Sequence, residues 1–431
     1  IGKESLYATQ FKNLPIGQME EKFADYGEVQ IKQLNDRSKM YYTPNKENNV
    51  FQLVVQYGAG EREFPKLGYA AQLMNNAGIM GAYEPQELKE ELSKLNATCH
   101  VTADDDNLYI IMEGYEATLP QACQLLSRQI LMPKLDEKQL ARLKGSAMGM
   151  RQQRKDNVSI LNEALRQYML YGEKSDYIKE LTDKEIYELQ ISELTGDINR
   201  ASNYEAKVFF TGTLPFDQVY DILSKNLPLV ANERPSNSPQ AKDMMPVTEN
   251  TVYFLPNNDA EQAQIHLYIP MQKADKKDDV LRSAFNQYFG LDFTGIVLNE
   301  IREKRSMAYT AYAFVGTQGI AGKASYLRGY IEGGKRMGFD ALDVLMGLVN
   351  DMPKNPERID NIKSYLRQAM LTSHPSFRNK AMELVDLGYR GYTDDPAKEN
   401  LPKVDALTFD DIVKFYEENI KDKPYCISIM G

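Results

Sequence analysis

The feature that most constrains this chain is an order of elements that occurs twice. The β-branched run "VFQLVVQY" (50–57) has a counterpart in "AQIHLYIP" (263–270), and "YEAKVFFTG" (204–212) has one in "DKPYCISIMG" (422–431). The stretches between them follow the same sequence. Two helical patterns, "FPKLGYAAQLMNNAGI" (64–79) and "EPQELKEELSKLN" (84–96), lead into a hairpin built from "ATCHVTA" and "LYIIME". In the second copy, "DVLRSAFNQYFG" (279–290) and "GIVLNEIREKR" (295–305) lead into a hairpin of "MAYTAYAF" and "ASYLRGYIEG". The offset is about 210 to 220 residues, which is the size of a domain and not of a short solenoid unit. The reading is an α+β chain of two homologous sandwich-like repeats, each a mostly antiparallel sheet packed with helices. Residues 28–230 form the first repeat and 249–431 the second. The proline-rich stretch 231–248 joins them, and residues 1–27 form an arm or linker.

Charge and hydropathy narrow the function classes. A formal net charge of −10 gives no cationic face for phosphate, so nucleic acid is not the expected partner. No apolar run reaches the ~18 to 20 residues of a membrane helix. The chain opens at Ile1 without a signal-like leader and reads as soluble, and as a piece of a longer polypeptide. Cys99, Cys123 and Cys426 form no CxxC pair and read as small core residues.

Few side chains carry catalytic potential. His100, His266 and His374 are the only histidines, each more than a hundred residues from the next along the chain, so no paired-imidazole metal motif forms locally. His100 and His266 read as residues on solvated strand faces, and His374 as a turn or cap residue. "TADDDN" (102–107) lacks calcium-loop spacing and reads as a solvated turn. No nucleophile elbow or phosphate-binding loop is present.

One segment stands out, "LNEIREKRSMAYTAYAF" (298–314), in which a charged helix end passes into a strand with Arg302 and Tyr309 at the changeover. With the repeat, it resembles the zinc metallopeptidases of the M16 (pitrilysin/insulysin-type, inverzincin) family, and specifically their C-terminal, non-metal half. The spacing from Arg302 to Tyr309 is similar to that family's signature in the second domain of this half. Metal-bearing halves carry HxxEH on their first helix. Aligned on Gly68, the two histidines fall at Ala71 and Asn75 and the glutamate at Met74. A methyl, an amide and a thioether replace two ligands and a base. The further glutamate ligand, expected on a helix some seventy to eighty residues on, is also missing, since 140–162 contains no glutamate.

The resemblance implies no cofactor in this chain, zinc in an HxxEH-bearing partner half, and a peptide substrate enclosed between the two. Tyr309 would stabilise the oxyanion in trans and Arg302 would position the substrate, with Arg305 and Tyr312 as weaker candidates. Taken alone, the pair is also explained by a helix-terminal arginine and a half-buried strand tyrosine. Two readings follow: a non-metal half that completes a peptidase, fused or separate, and a catalytically inactive structural or peptide-binding subunit. Resemblance to long bacterial members points to the periplasm or cell envelope.

Overall fold

In a computed structural model of the chain, which describes residues 5–7, 10, 20–155, 157–258, 260–290 and 294–431, the β-branched and aromatic runs become two sheets. Strands β1 (Gln30–Gln33), β2 (Lys39–Pro44), β3 (Val50–Tyr57), β4 (Thr98–Ala103), β5 (Leu108–Tyr115) and β6 (Ala206–Gly212) form the first, in the order β1-β2-β6-β3-β5-β4. Strands β7 (Thr251–Leu255), β8 (Gln262–Lys273), β9 (Thr310–Thr317), β10 (Ala324–Gly334) and β11 (Cys426–Met430) form the second, in the order β9-β10-β8-β11-β7. With β1 set aside the two orders are the same. The first strand of each repeat runs parallel to the last. The last strand then pairs antiparallel with the next strand, and that strand with the hairpin.

Alternation along the strands places one face of each sheet in a core. In β3, Phe51, Leu53, Val55 and Tyr57 point under the helices α1 (Leu67–Met74), α2 (Pro85–Lys94), α3 (Leu119–Leu131), α4 (Glu137–Arg154), α6 (Ile191–Ala201) and α7 (Phe216–Asn226). In β8, Ile265, Leu267 and Ile269 do the same under α8 (Asp279–Phe289), α9 (Ile296–Leu298), α10 (Lys335–Asn350), α11 (Ile359–Thr372), α13 (Pro396–Ala406) and α14 (Phe409–Asn419). Local signals set the helix ends. Glu84 and Glu87 form a capping box ahead of Pro85, and Thr408 and Asp411 form another at α14.

The outer faces of the sheets are covered by exchange. Helix α5 (Val158–Tyr171), which precedes β6 in the chain, lies on the second sheet, where Met169 and Leu170 pack on Tyr268 and Cys426. Helix α12 (Lys380–Tyr389) lies on the first sheet, where Ala381 packs with Val54 and Phe209. Each repeat thus buries apolar surface of the other.

The proline-rich stretch has no helix or strand beyond a single bridge, from Arg234 to Tyr204, yet it is held along its length. Buried Glu233 accepts from the Ser38 hydroxyl (2.6 Å) and the Asn35 amide (2.8 Å). The Asn237 N–H donates to Gly58 (2.8 Å) and the Met245 N–H to Leu170 (2.7 Å). Residues 20–27 of the arm lie on the second repeat, where the Ala24 N–H donates to Asp395 (2.7 Å) and Tyr26 packs against Leu387 and Tyr392.

Candidate functional site

Segment 295–305 reads as one helix in the sequence, but the backbone changes pitch within it. After α9 the chain widens into a π-turn over Asn299–Glu303, in which the Lys304 N–H reaches back five residues to the Asn299 carbonyl. Ile301 is fully buried and anchors this turn, and its neighbour Arg302 is directed outward. Ser306, at φ +52°, reverses the chain and donates its N–H to the Arg302 carbonyl (2.8 Å). Tyr309 sits in the bend just before β9, with its N–H on the Glu332 carbonyl (3.2 Å). A non-glycine residue in the left-handed region beside a π-turn is a costly local arrangement, one found often at functional sites.

The result is one surface pair, a half-buried Arg302 against an exposed Tyr309. The Arg302 guanidinium lies 5.0 Å from the Tyr309 ring centroid. Tyr309 is 75% exposed, and its hydroxyl has no hydrogen-bond partner among the described residues. Among the described residues, Arg302 makes an ion pair with Glu303 alone, at 3.6 Å. Arg305 is committed locally, with hydrogen bonds to the Glu300 carbonyl (2.7 Å) and carboxylate (2.5 Å). With Lys304, it holds the Glu300 carboxyl below the usual carboxylate range. Tyr312 lies farther along β9, stacked on Tyr330 (5.5 Å). Arg302 and Tyr309 are both donors. Together they can hold a carbonyl or stabilise negative oxygen, but they supply no base and no nucleophile.

The degenerate metal positions lie in the first repeat, on α1 and its C-cap. Ala71 and Met74 are each 1% exposed and belong to the core. Asn75 is engaged by the edge strand: its amide donates to the Val101 carbonyl (2.9 Å) and its oxygen accepts the Val101 N–H (2.8 Å). Asn286 on α8 does the same to Val315 on the other edge strand, at 3.0 and 2.7 Å. A cleft of about 610 Å³ opens beside Met74 and Asn75, floored by Leu88, Leu92 and Ala97. These residues do not fit a zinc ion. The one polar side chain at the three positions is spent on backbone, and among the described residues no group of three or more His, Cys, Asp or Glu could hold a metal.

His266 corrects the sequence reading. It lies on the outer face of its sheet as expected, but α5 covers that face, so the residue is 3% exposed and not solvated. Its Nε2 meets the Asn162 amide at 3.0 Å and its ring packs on Tyr330 at 4.7 Å. Burial, then Arg328 and Arg166, push its pKa down to about 3. His100 is exposed, as expected. A second cleft, of about 370 Å³, contains Glu61, whose pKa is pushed up to about 7 by burial and by Asp105, Asp104, Asp176 and Glu180.

Sequence reasoning missed the Asn clamps, though the repeat carries the signal. Asn75 and Asn286 are 211 residues apart (286 − 75) and Val101 and Val315 are 214 apart (315 − 101), both within the repeat offset.

Residues 202–368 match the family model described as "Peptidase M16 inactive domain". No curated protein matches the chain. Among solved structures, the fold is similar to a peptidase M16 inactive domain from Pseudomonas fluorescens, with TM-score 0.71, 17% identity and coverage of 94% of this chain and 97% of that one. It is also similar to the periplasmic protease PqqL from Escherichia coli (TM-score 0.69, 12% identity), where 98% of this chain covers 50% of the larger protein. The ferredoxin protease FusC, solved with Arabidopsis ferredoxin, gives TM-score 0.70 at 12% identity, with 98% of this chain covering 49% of that one. The chain therefore spans about half the length of these two proteases. A segment over the heart of the chain thus matches the peptidase M16 inactive domain, and nearly the whole chain shares the fold of such a domain.

Proposed function

We propose that this chain completes the peptide-cleaving site of an HxxEH-bearing M16 half, fused to it or separate. The observation that carries the reading is the Arg302–Tyr309 pair, a half-buried guanidinium against an exposed phenol with almost no partners, raised on a π-turn and a left-handed serine. A purely structural role would favour burial or pairing of these groups, as happens at Arg305.

The partner's zinc would supply an activated water for peptide hydrolysis. This chain's part is binding and charge stabilisation. The Tyr309 hydroxyl donates to the oxygen on which negative charge develops, and the Arg302 fork holds a neighbouring carbonyl or carboxylate of the peptide. Stacking the guanidinium on the ring fixes both donors in one direction, which lowers the ordering cost at the moment of binding. The periplasmic relative makes the cell envelope the proposed location.

The test is complementation. Zinc-dependent hydrolysis of unfolded peptides is expected when this chain is added to an HxxEH half, and Arg302→Ala is expected to raise KM. Full activity of the metal half alone, unaltered by this chain, would overturn the reading.

A further inference from the structure

The outward face of the β9–β10 hairpin holds a guanidinium, that of Arg328, with no ion pair among the described residues. Alternation puts Thr310, Tyr312 and Phe314 of β9, and Tyr326, Arg328, Tyr330 and Glu332 of β10, on this face. Arg328 pairs across the sheet with Phe314 on one side and Tyr268 on the other, and its same-face neighbours along β10 are Tyr326 and Tyr330. The guanidinium is thus framed by four aromatic residues.

Glu163, the acid of the covering helix α5, is bonded through both its oxygens to Arg166. Glu332, farther along the strand, is bonded to Gln264 (3.1 Å). Arg328 has no ion pair or hydrogen bond among the described residues, and its Nε is buried without an acceptor. Two guanidinium groups and one carboxylate therefore share this corner of the interface, and the field is positive. A half-buried, unpaired guanidinium has already lost hydration, so an incoming carboxylate regains what folding left unmade. The flat rings beside it suit the apolar parts of an extended chain.

We propose that this face is a carboxylate-recognising subsite for an extended peptide, with Arg328 as the anion receptor and Tyr312, Phe314 and Tyr330 as the wall beside it. Its place along the peptide rests on the reading of Arg302 and Tyr309 given above. Tyr309 is hydrogen-bonded at Glu332, four residues along β10 from Arg328, or about 13 Å at ~3.3 Å per residue. A peptide held at Tyr309 and running along the hairpin meets Arg328 about four residues away. The carboxylate is either an acidic side chain or a free C-terminus at that distance.

The experiment measures binding of fluorescein-labelled nonapeptides to the full chain by anisotropy. One peptide carries phenylalanine with glutamate four residues on and an amidated end. The second has glutamine in place of that glutamate, and the third has the glutamine but ends there in a free carboxylate. Wild-type chain is expected to bind the first or third about tenfold more tightly than the second, the preferred one identifying the source of the charge. Arg328→Gln is expected to bind all three like the second, and Arg328→Lys to keep part of the preference. Arg302→Ala separates the two claims: it should weaken all three peptides alike and leave the preference intact. If Arg302→Ala changes nothing while the preference still depends on Arg328, the reading of Arg302 fails and the subsite stands. A preference that survives in Arg328→Gln, no preference in wild type, or no binding at all overturns the subsite.

Discussion

Replacing Asn75 by alanine removes two hydrogen bonds at once, and the structure indicates how much that costs. Val101 is 3% exposed, and on its outer side the Asn75 side chain satisfies both its N–H (2.8 Å) and its C=O (2.9 Å). Val101 lines the 610 Å³ cleft together with Asn75, so water replaces part of what is lost, and the cost is near the ~1 kcal/mol net value of each of the two bonds or somewhat above it. About 2 to 3 kcal/mol of destabilisation is expected, read as a shift in the urea midpoint at unchanged slope. Asn75→Asp retains an acceptor for the N–H and loses the donor, so it falls between wild type and alanine. Asn286→Ala, which frees Val315, matches Asn75→Ala within a factor of two if the repeats use the same device. A loss below about 0.5 kcal/mol for Asn75→Ala would refute the argument that this position has become an edge-strand clamp.

Acid tests the buried His266. Its pKa is near 3 in the folded chain and near ~6.5 unfolded, so the unfolded state binds the extra proton. The stability it contributes is complete above pH ~6.5 and is lost as the pH falls toward 3, by about 2 kcal/mol at pH 5; His266→Asn should flatten that slope in denaturant titrations. The docked linker is tested at Gly58, where an added Cβ would stand 2.0 Å from the Ser236 Oγ and 2.8 Å from its Cα. Gly58→Ala is expected to cost about 2 kcal/mol and open residues 231–248 to limited proteolysis. Adding Ser236→Gly should recover only part of the loss, because the backbone Cα remains in the way.

How far the sequence could be read depended on the range of the forces involved. Strand β6 was legible within "YEAKVFFTG", since its "AKVFFTG" combines β-branched and aromatic residues with clear turn punctuation. The repeat made two similar sheets legible, because period and order are local properties. The pitch change at Asn299–Glu303 was not, because a π-turn arises from anchoring Ile301 and reversing at Ser306, and no residue propensity encodes it. His266 was misread for a related reason. Alternation gives the face of a strand, but it cannot foretell that a helix from the other repeat will cover that face. The linker's proline content signalled absence of helix and strand, while its hydrogen bonds come from partners far along the chain, Ser38 and Gly58 flanking β2 and β3 and Leu170 on α5.

At the candidate site, residue types were legible and commitments were not. Arg302 and Arg305 look alike in "REKR", and only the structure separates the outward guanidinium from the one bonded to Glu300. Asn75 read as a poor substitute for a ligand, whereas its amide has a positive use on Val101.

The central claim is that Tyr309 acts on a reaction whose metal lies outside this chain. Single-turnover peptide cleavage by the assembled pair, with wild-type or Tyr309→Phe chain, tests it most directly. The account predicts a rate about 10²- to 10³-fold lower for Tyr309→Phe, with the melting temperature unchanged because the hydroxyl is exposed and unpartnered. Equal rates for the two chains would contradict it.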